Sequence, residues 1–346
     1  GSPTFGQHAA AILSADNKRH FWIPEGFAHG FLVLSETATF TYLCTAPYDR
    51  ASDNSLRWDD PALAIDWQLA DASLSAKEAA APMLGGNGQV GRELRRSLPA
   101  LGELVVATRD GAGADAVADF DAPGSLAALV ARVAPDVVVN AAAYTAVDRA
   151  ETDADVAFRV NAEAPAAIAT ACAAAGALLL HYSTDYVFDG GAVRPYREDD
   201  PTSPLGVYGA SKLAGEQAIR ASGARHAILR TAWVYAARGK NFLLTMLRLA
   251  GERDELRVVA DQVGAPTPAA WIADASADIV RRGVGESGTW HLVADGETSW
   301  HGFAEAIVDE AHALGLIARK PRVTAIGTTD YPTPAQRPAY SVLDTT

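Results

Sequence analysis

The chain has 346 residues, a formal net charge of -13, 49% hydrophobic residues and 21% charged ones. That is an ordinary core-forming balance, long enough for two domains or for one large domain with an appendage. The acidic balance excludes the basic stripe that a nucleic-acid binder needs, although a few local arginines and helix N-termini could still hold a phosphorylated small molecule. Cys44 and Cys172 fall in separate segments and imply neither a disulfide framework nor a zinc site. The longest apolar run, "ATACAAAGALLL", is too short for a membrane span. The opening Gly-Ser pair reads as an expression scar and no signal pattern follows it, so a cytoplasmic setting is expected.

Residues 20 to 70 read as β structure: "HFWIP", "HGFLVLS" and "ATFTYLCTA" are short, aromatic and β-branched, with turn residues between them. Residues 71 to 82 form a junction. Beyond about 85 the pattern changes to near-continuous apolar runs, "ELVVATR" (103–109), "PDVVVNAAA" (135–143), "ALLLHYSTDYVF" (177–188) and "HAILRTAWVY" (226–235). Buried parallel strands have this character. The helical patterns between them, "SLAALVARV", "DADVAFRVNAEAPAAIATACAAAG" and "YGASKLAGEQAIRAS", predict a doubly wound α/β sheet.

"GGNGQVG" opens this second part with Gly85, Gly88 and Gly91, followed by Gln89 and Val90 at a helix start. Glycines there allow a tight turn and let backbone N–H groups approach a pyrophosphate. By itself the pattern is often only a turn. At the end of the next strand Arg109 suits a 2′-phosphate and Asp110 a free ribose hydroxyl. NADPH is therefore preferred, with NADH still open, and Arg109 as a plain solvated charge is the bland alternative.

"HYSTDYVF" ends an apolar strand with Ser183 and Thr184, and "VYGASK" follows with Tyr208 and Lys212. At i and i+4 the phenol and the ammonium share one helix face. A free tyrosine titrates near about pH 10, and an adjacent cation is expected to lower that value. Tyr208 could then give a proton to a carbonyl oxygen as a hydride reaches the carbon, with Thr184 hydrogen-bonded to the same oxygen. Tyr-x-x-x-Lys alone usually marks an amphipathic helix. With the strand-end hydroxyls and the glycine loop, the set resembles the extended short-chain dehydrogenase/reductase superfamily, whose dinucleotide domain is a Rossmann-type sheet.

"VVNAAAYTAVDRAE", "HYSTDYVFDG", "PLGVYGASKLAGE", "RTAWVYAARGKNF", "DQVGAPTP" and "YPTPAQRPAYS" together resemble the dTDP-4-dehydrorhamnose reductase family over about residues 84 to 346. The resemblance implies NAD(P)H-dependent reduction of a 4-keto sugar nucleotide. It makes Thr184, Tyr208 and Lys212 the catalytic trio, with Lys212 also on the nicotinamide ribose. It places Asp119 and Phe120 beside the adenine, and Ala141, Ala142 and Tyr144 along the cofactor. Asp185, Tyr186 and Trp233 would meet the sugar, and Asn241 and Arg337 the diphosphate, with substrate-binding elements at about 188–205, 236–270 and 288–346. Trp233 could equally be core, Asn241 a helix cap, Asp185 a turn cap and Asp148 a helix-start acid. Some relatives hold Mg²⁺ through glutamates at a dimer interface, which allows a homodimer here. Glu93 could be one ligand, but in "GAPTPAAWIAD" alanines stand where a second acid would be expected, so no metal site is predicted. Another sugar-nucleotide epimerase or dehydratase, or a non-catalytic cofactor-binding subunit, stays open as an alternative function.

"NKRHFWIPEGFAHGFLVLSETATFTY", "RWDDPALAIDW" and "LSAKEAAAP" resemble the later half of the dTDP-4-dehydrorhamnose 3,5-epimerase family, a cupin jelly roll, over about residues 3 to 82. The resemblance matches Tyr42 to the proton-delivering tyrosine, His29 to a substrate contact and Glu78 to the usual aspartate. The base histidine belongs to the earlier half, so this remnant is expected to be inactive. The domain boundary then falls at 82/83, and Ala79–Leu84 occupy the place of the reductase's first strand. Because Pro82 cannot donate to a central ladder, missing intervening residues are the preferred explanation there. The reductase family also continues beyond "SVLDTT", so both ends are expected to be cut.

Overall fold

The computed structural model describes residues 9–23 and 81–346. His29, Tyr42 and Glu78 lie outside them, and with them the jelly-roll expectation. The chain divides into two units, Gly1–Glu78 and Ala79–Thr346. Of the first, residues 9–23 are almost wholly exposed and include a turn in which Ser14 and Asn17 exchange side-chain to backbone hydrogen bonds.

The second unit runs in chain order through β1 (Ala81–Leu84), α1 (Gln89–Ser97), β2 (Leu104–Thr108), β3 (Ala116–Val117), α2 (Pro123–Val133), β4 (Val137–Asn140), α3 (Val147–Ala150) and α4 (Ala154–Phe158). A π turn at Arg159–Glu163 then leads into α5 (Ala164–Ala175), β5 (Leu178–Thr184), α6 (Val207–Ala221), β6 (His226–Thr231) and β7 (Val234–Tyr235). There follow α7 (Phe242–Glu252), β8 (Glu255–Val259), β9 (Val263–Gly264), β10 (Thr267–Pro268), α8 (Ala269–Arg282), β11 (Gly288–His291), β12 (Thr298–Ser299), α9 (Trp300–Ala313) and β13 (Arg322–Ile326).

Seven strands form one parallel sheet in the order β11-β6-β5-β4-β1-β2-β3. The order reverses between β1 and β4, and in such sheets ligands bind outside the carboxyl ends of the strands at that reversal. All seven residues of β5 and all six of β6 are buried, as expected of strands covered on both faces. One face packs Leu126, Leu129 and Val130 of α2, Ile168 and Cys172 of α5, and Ile219 of α6. The other packs Leu94 of α1 with Ile272, Ala273 and Ala277 of α8. A third apolar cluster joins α7, β8 and α9 through Met246, Leu256, Ile307 and Val308. Each fully buried leucine or isoleucine contributes about 1.5–3 kcal/mol relative to its exposed state.

The first strand is present, contrary to the preferred expectation. Ala81–Leu84 pair in parallel with β2 and, at Met83 and Leu84, with β4. Backbone alternation explains why Pro82 is tolerated at the centre of the sheet. Gly85 N–H donates to Ala107 on β2, while Leu84 accepts from Ala141 N–H beyond β4. Residues of the same parity as Leu84 therefore face β4, Pro82 among them. Its missing donor would have met only Val137, the first residue of β4. The loss falls at the strand's start, away from the glycine loop.

Candidate active site

The glycine loop connects β1 to α1 at the order reversal. Gly91 lies so close to the loop's own backbone that a Cβ there would stand 2.2 Å from the Gly85 carbonyl oxygen. Gly88 occupies the N-cap of α1 without any side-chain cap, and no acidic residue stands in the first turn. The first N–H groups of α1 are thus free of competing side chains, and the dipole end favours an anion. These residues fit a pyrophosphate. Gln89 is tied in from the other side, because its Oε1 accepts from Asn241 Nδ2 at 2.7 Å.

Around this loop the predicted cofactor residues take different roles. Ala141, Ala142 and Tyr144 lie half-buried just after β4, and Val90 half-buried in α1. Tyr144 is fixed at both ends: its N–H donates to Asn161 Oδ1 at 2.8 Å and its hydroxyl to Asp153 at 3.1 Å. Asp119 turns back to accept from the Asp121 N–H, and the Phe120 ring sits in the core, 4% exposed. Arg109 is exposed and only loosely paired with Asp121, at 3.9 Å. Asp110 is engaged in its own turn, accepting from the Ala112 N–H, which holds its carboxyl below the ordinary range.

Thr184, Tyr208 and Lys212 converge at the carboxyl end of β5. Helix α6 can approach because Gly209 has no side chain, since a Cβ there would stand 2.2 Å from the Tyr186 carbonyl oxygen. Tyr208 meets the Tyr186 ring edge-on, centroids 5.5 Å apart. Burial pushes the Tyr208 phenol up to about 12, partly offset by hydrogen bonding to Thr184, with the charge of Asp185 adding to the rise. The expected lowering by Lys212 is therefore corrected. The ammonium is turned away, donating to the Tyr182 carbonyl at 2.6 Å with His181 Nε2 at 3.4 Å. Lys212 is itself 2% exposed, and burial lowers it to about 8.

Asp185 is a buried carboxyl rather than an exposed turn cap. One oxygen accepts from the Thr184 hydroxyl at 2.9 Å and the other has no hydrogen-bond partner. Burial pushes it up to about 6. Tyr186 is raised as well, by burial and by Asp185. Trp233, with its φ at +47°, stacks on Trp300 at 3.5 Å and an interplanar angle of 4°. Asn241 does cap α7, accepting from Leu244 N–H at 3.0 Å, and also donates to the Ala236 carbonyl. Arg337 lines a cavity of about 470 Å³ with Asp261, Thr328 and Thr333, and donates to Asp148 at 2.8 Å. Asp148 stands in the first turn of α3, as a helix-start acid should, but its carboxylate also holds Arg337.

Sequence reasoning missed four buried polar residues that shape this site. Asn161, inside the π turn, also donates to the Tyr144 carbonyl and to Ser211, whose hydroxyl donates to the Tyr208 carbonyl. π turns within helices often mark functional sites. Asn140 and His181 lie on neighbouring strands beside Lys212. The available signal was a polar side chain inside an apolar strand run, which is costly unless partnered.

Residues 82–346 match the family described as the RmlD substrate binding domain. A dTDP-4-dehydrorhamnose reductase from Burkholderia thailandensis is 52% identical over 268 residues, covering 75% of this chain and 88% of the relative.

The chain belongs to the dTDP-4-dehydrorhamnose reductase family.

Among solved structures, the family's enzyme from Bacillus anthracis, in complex with NADP, aligns with a TM-score of 0.72 at 33% identity, covering 78% of this chain and 91% of that one. A dTDP-4-dehydrorhamnose reductase from Clostridium acetobutylicum aligns with a TM-score of 0.70 at 36% identity, covering 77% and 90%. Residues 1–85 match the dTDP-4-dehydrorhamnose 3,5-epimerase family. The reductase part is thus an NAD(P)-type oxidoreductase of the sugar-nucleotide class. Among the described residues no helix is long and apolar enough to cross a membrane.

Proposed function

We propose that this chain reduces the C4 ketone of dTDP-4-dehydro-L-rhamnose to give dTDP-L-rhamnose, with NADPH as the preferred reductant. The observation that carries the reading is the convergence of Thr184, Tyr208 and Lys212 at the carboxyl end of β5, beside an uncapped α1 N-terminus. When bound, NADPH supplies a hydride to the carbonyl carbon. The protein's task is the proton and the geometry. A phenol raised to about 12 is fully protonated at working pH, the form a donor must start from. An alkoxide is far more basic than a phenolate, so transfer from Tyr208 to the forming oxygen remains favourable. Thr184 would donate to the same oxygen once its hydroxyl leaves Asp185. Lys212 would hold the nicotinamide ribose.

Gly85, Gly88, Gln89, Val90 and Gly91 would hold the pyrophosphate, and Arg109 the 2′-phosphate. The exposed guanidinium of Arg109, and the engagement of the Asp110 carboxylate by the Ala112 N–H of its own turn, favour NADPH over NADH. Arg337 and Asn241 would meet the dTDP diphosphate, while Trp233, Asp185 and Tyr186 would meet the sugar. Arg337 must exchange its bond to Asp148 for phosphate oxygens, which an arginine fork accepts well. Among the described residues no group of three or more His, Cys, Asp or Glu could hold a metal, and Glu93 pairs with Arg96 at 3.3 Å. No metal enters the proposal.

The test follows NADPH absorbance with dTDP-4-dehydro-L-rhamnose and its UDP analogue. Turnover should be lost by about 10²–10⁴-fold in Tyr208→Phe, with NADPH affinity retained. Wild-type protein that binds NADPH and never oxidises it would instead mark a non-catalytic cofactor-binding subunit.

A further inference from the structure

Asn140, His181 and Lys212 form a buried chain, at 1%, 0% and 2% exposure. Asn140 Oδ1 accepts from the Ala142 N–H at 3.1 Å, which fixes the orientation of the amide. Its Nδ2 therefore faces His181 Nδ1, at 3.0 Å, and can only donate. A neutral imidazole that accepts at Nδ1 carries its proton on Nε2. That nitrogen lies 3.4 Å from Lys212 Nζ. An ammonium has no lone pair to offer an N–H group, whereas an amine has one. The Tyr182 carbonyl, 2.6 Å away, takes a proton of Nζ in either state.

We propose that His181, locked by Asn140 in its Nε2–H form, is a positioning residue that turns Lys212 Nζ onto the Tyr182 carbonyl and favours its uncharged amine. The residue that holds the ribose can then gain and lose a proton near working pH. Burial keeps the imidazole neutral, pushing it well below its ordinary value with help from the Lys212 charge.

Burial is the largest cause of the Lys212 lowering, and the surrounding charged groups add nothing to it. Glu216, one turn along α6, acts to keep the ammonium charged, but its carboxylate is shared by Arg230 and Arg220. The Tyr182 phenol is engaged with Ser276 at 2.6 Å. Tyr208, one turn back, is protonated, and Asp185 points its bonded oxygen at Thr184. As a base depressed by folding, Lys212 loses its proton as pH rises through about 8, while the unfolded chain holds it to 10.5. The alkaline limb of kcat/KM should fall in that range.

This deepens the reductase reading, and its decisive measurement needs neither cofactor nor substrate. Long-range ¹⁵N–¹H spectra of histidine-labelled protein, with His181 assigned by its absence from His181→Phe, should show the Nε2–H tautomer. A carboxylate at position 140 accepts only, so Asn140→Asp should draw the proton to Nδ1 and leave Nε2 to accept from the ammonium. The Lys212 titration, followed through ¹³Cε-labelled lysine, and the alkaline limb should then both rise by at least about one pH unit. An Nδ1–H tautomer in wild-type protein overturns the proposal, and so does a folded Asn140→Asp variant with an unmoved Lys212 titration. If that variant does not fold, the wild-type tautomer decides alone. Wild-type protein that fails to oxidise NADPH would sink the reductase reading and leave the tautomer result standing.

Discussion

Asp185 offers a direct measure of how dry the site is. Asp185 is 2% exposed, and burial raises its carboxyl from 3.8 to about 6 against the pull of the Thr184 hydrogen bond. Two pH units correspond to about 3 kcal/mol. The folded state holds the proton more tightly than the unfolded chain. Between 3.8 and about 6 the unfolded chain therefore binds fewer protons, and stability falls as pH rises through that window. Below it both states are protonated and the penalty is absent; above it the penalty is complete. Asn at this position carries no charge at any pH but places an amide where one oxygen has no partner, at a cost of about 1–3 kcal/mol. Asp185→Asn should thus be less stable than wild type at about pH 4, then gain about 3 kcal/mol on it by pH 7. Urea midpoints for both proteins across that range, at unchanged m-value, read the difference directly. A stability difference that stays flat with pH would show that this carboxyl is solvated, and the account of the pocket would fail.

Three further substitutions test the frame around the site. Gly91→Ala puts a methyl group 2.2 Å from the Gly85 carbonyl oxygen, so stability should fall by about 1–3 kcal/mol and NADPH affinity at least tenfold; unchanged affinity by fluorescence titration would contradict the loop's role. Glu216→Gln should cost about 3–5 kcal/mol, because the Arg230 guanidinium, 2% exposed and 2.8 Å from Glu216, would be left buried without its counter-charge. The double variant Glu216→Gln with Arg230→Met should recover much of that loss in urea unfolding, and additive losses would count against the pairing. Asn241→Ala removes the cap of α7 and the bond to Gln89, with an expected thermal destabilisation of about 1 kcal/mol and weaker NADPH binding.

Much of the sheet was legible because both faces are covered. The continuous apolar runs at β2, β4, β5 and β6 have no other stable placement. The carboxyl-end position of Thr184 and the helical spacing of Tyr208 and Lys212 followed from the same pattern. Pro82 misled because composition does not reveal parity: in a parallel ladder each residue serves one neighbour, and the neighbour here is only the first residue of β4. The acidity of Tyr208 misled for a related reason. Spacing puts an ammonium on the right helix face, yet a lysine has four rotatable bonds and its charge goes to the nearest acceptor, here the Tyr182 carbonyl. Asn140 and His181 signalled only that a polar group in an apolar run needs a partner; those partners, and Asn161's, were illegible because they come from other strands and helices, 41 residues apart for the first two.

The paired indoles of Trp233 and Trp300 carry a different consequence. One stands just past the end of β6 in the parallel sheet, the other opens α9 beside the apolar cluster of α7, β8 and α9, and their planes lie 4° from parallel. Two such chromophores in contact share their excited states, so the protein carries a built-in optical gauge across that seam. A shift of α9 against the sheet that parts or tightens the pair would register in circular dichroism with no label attached.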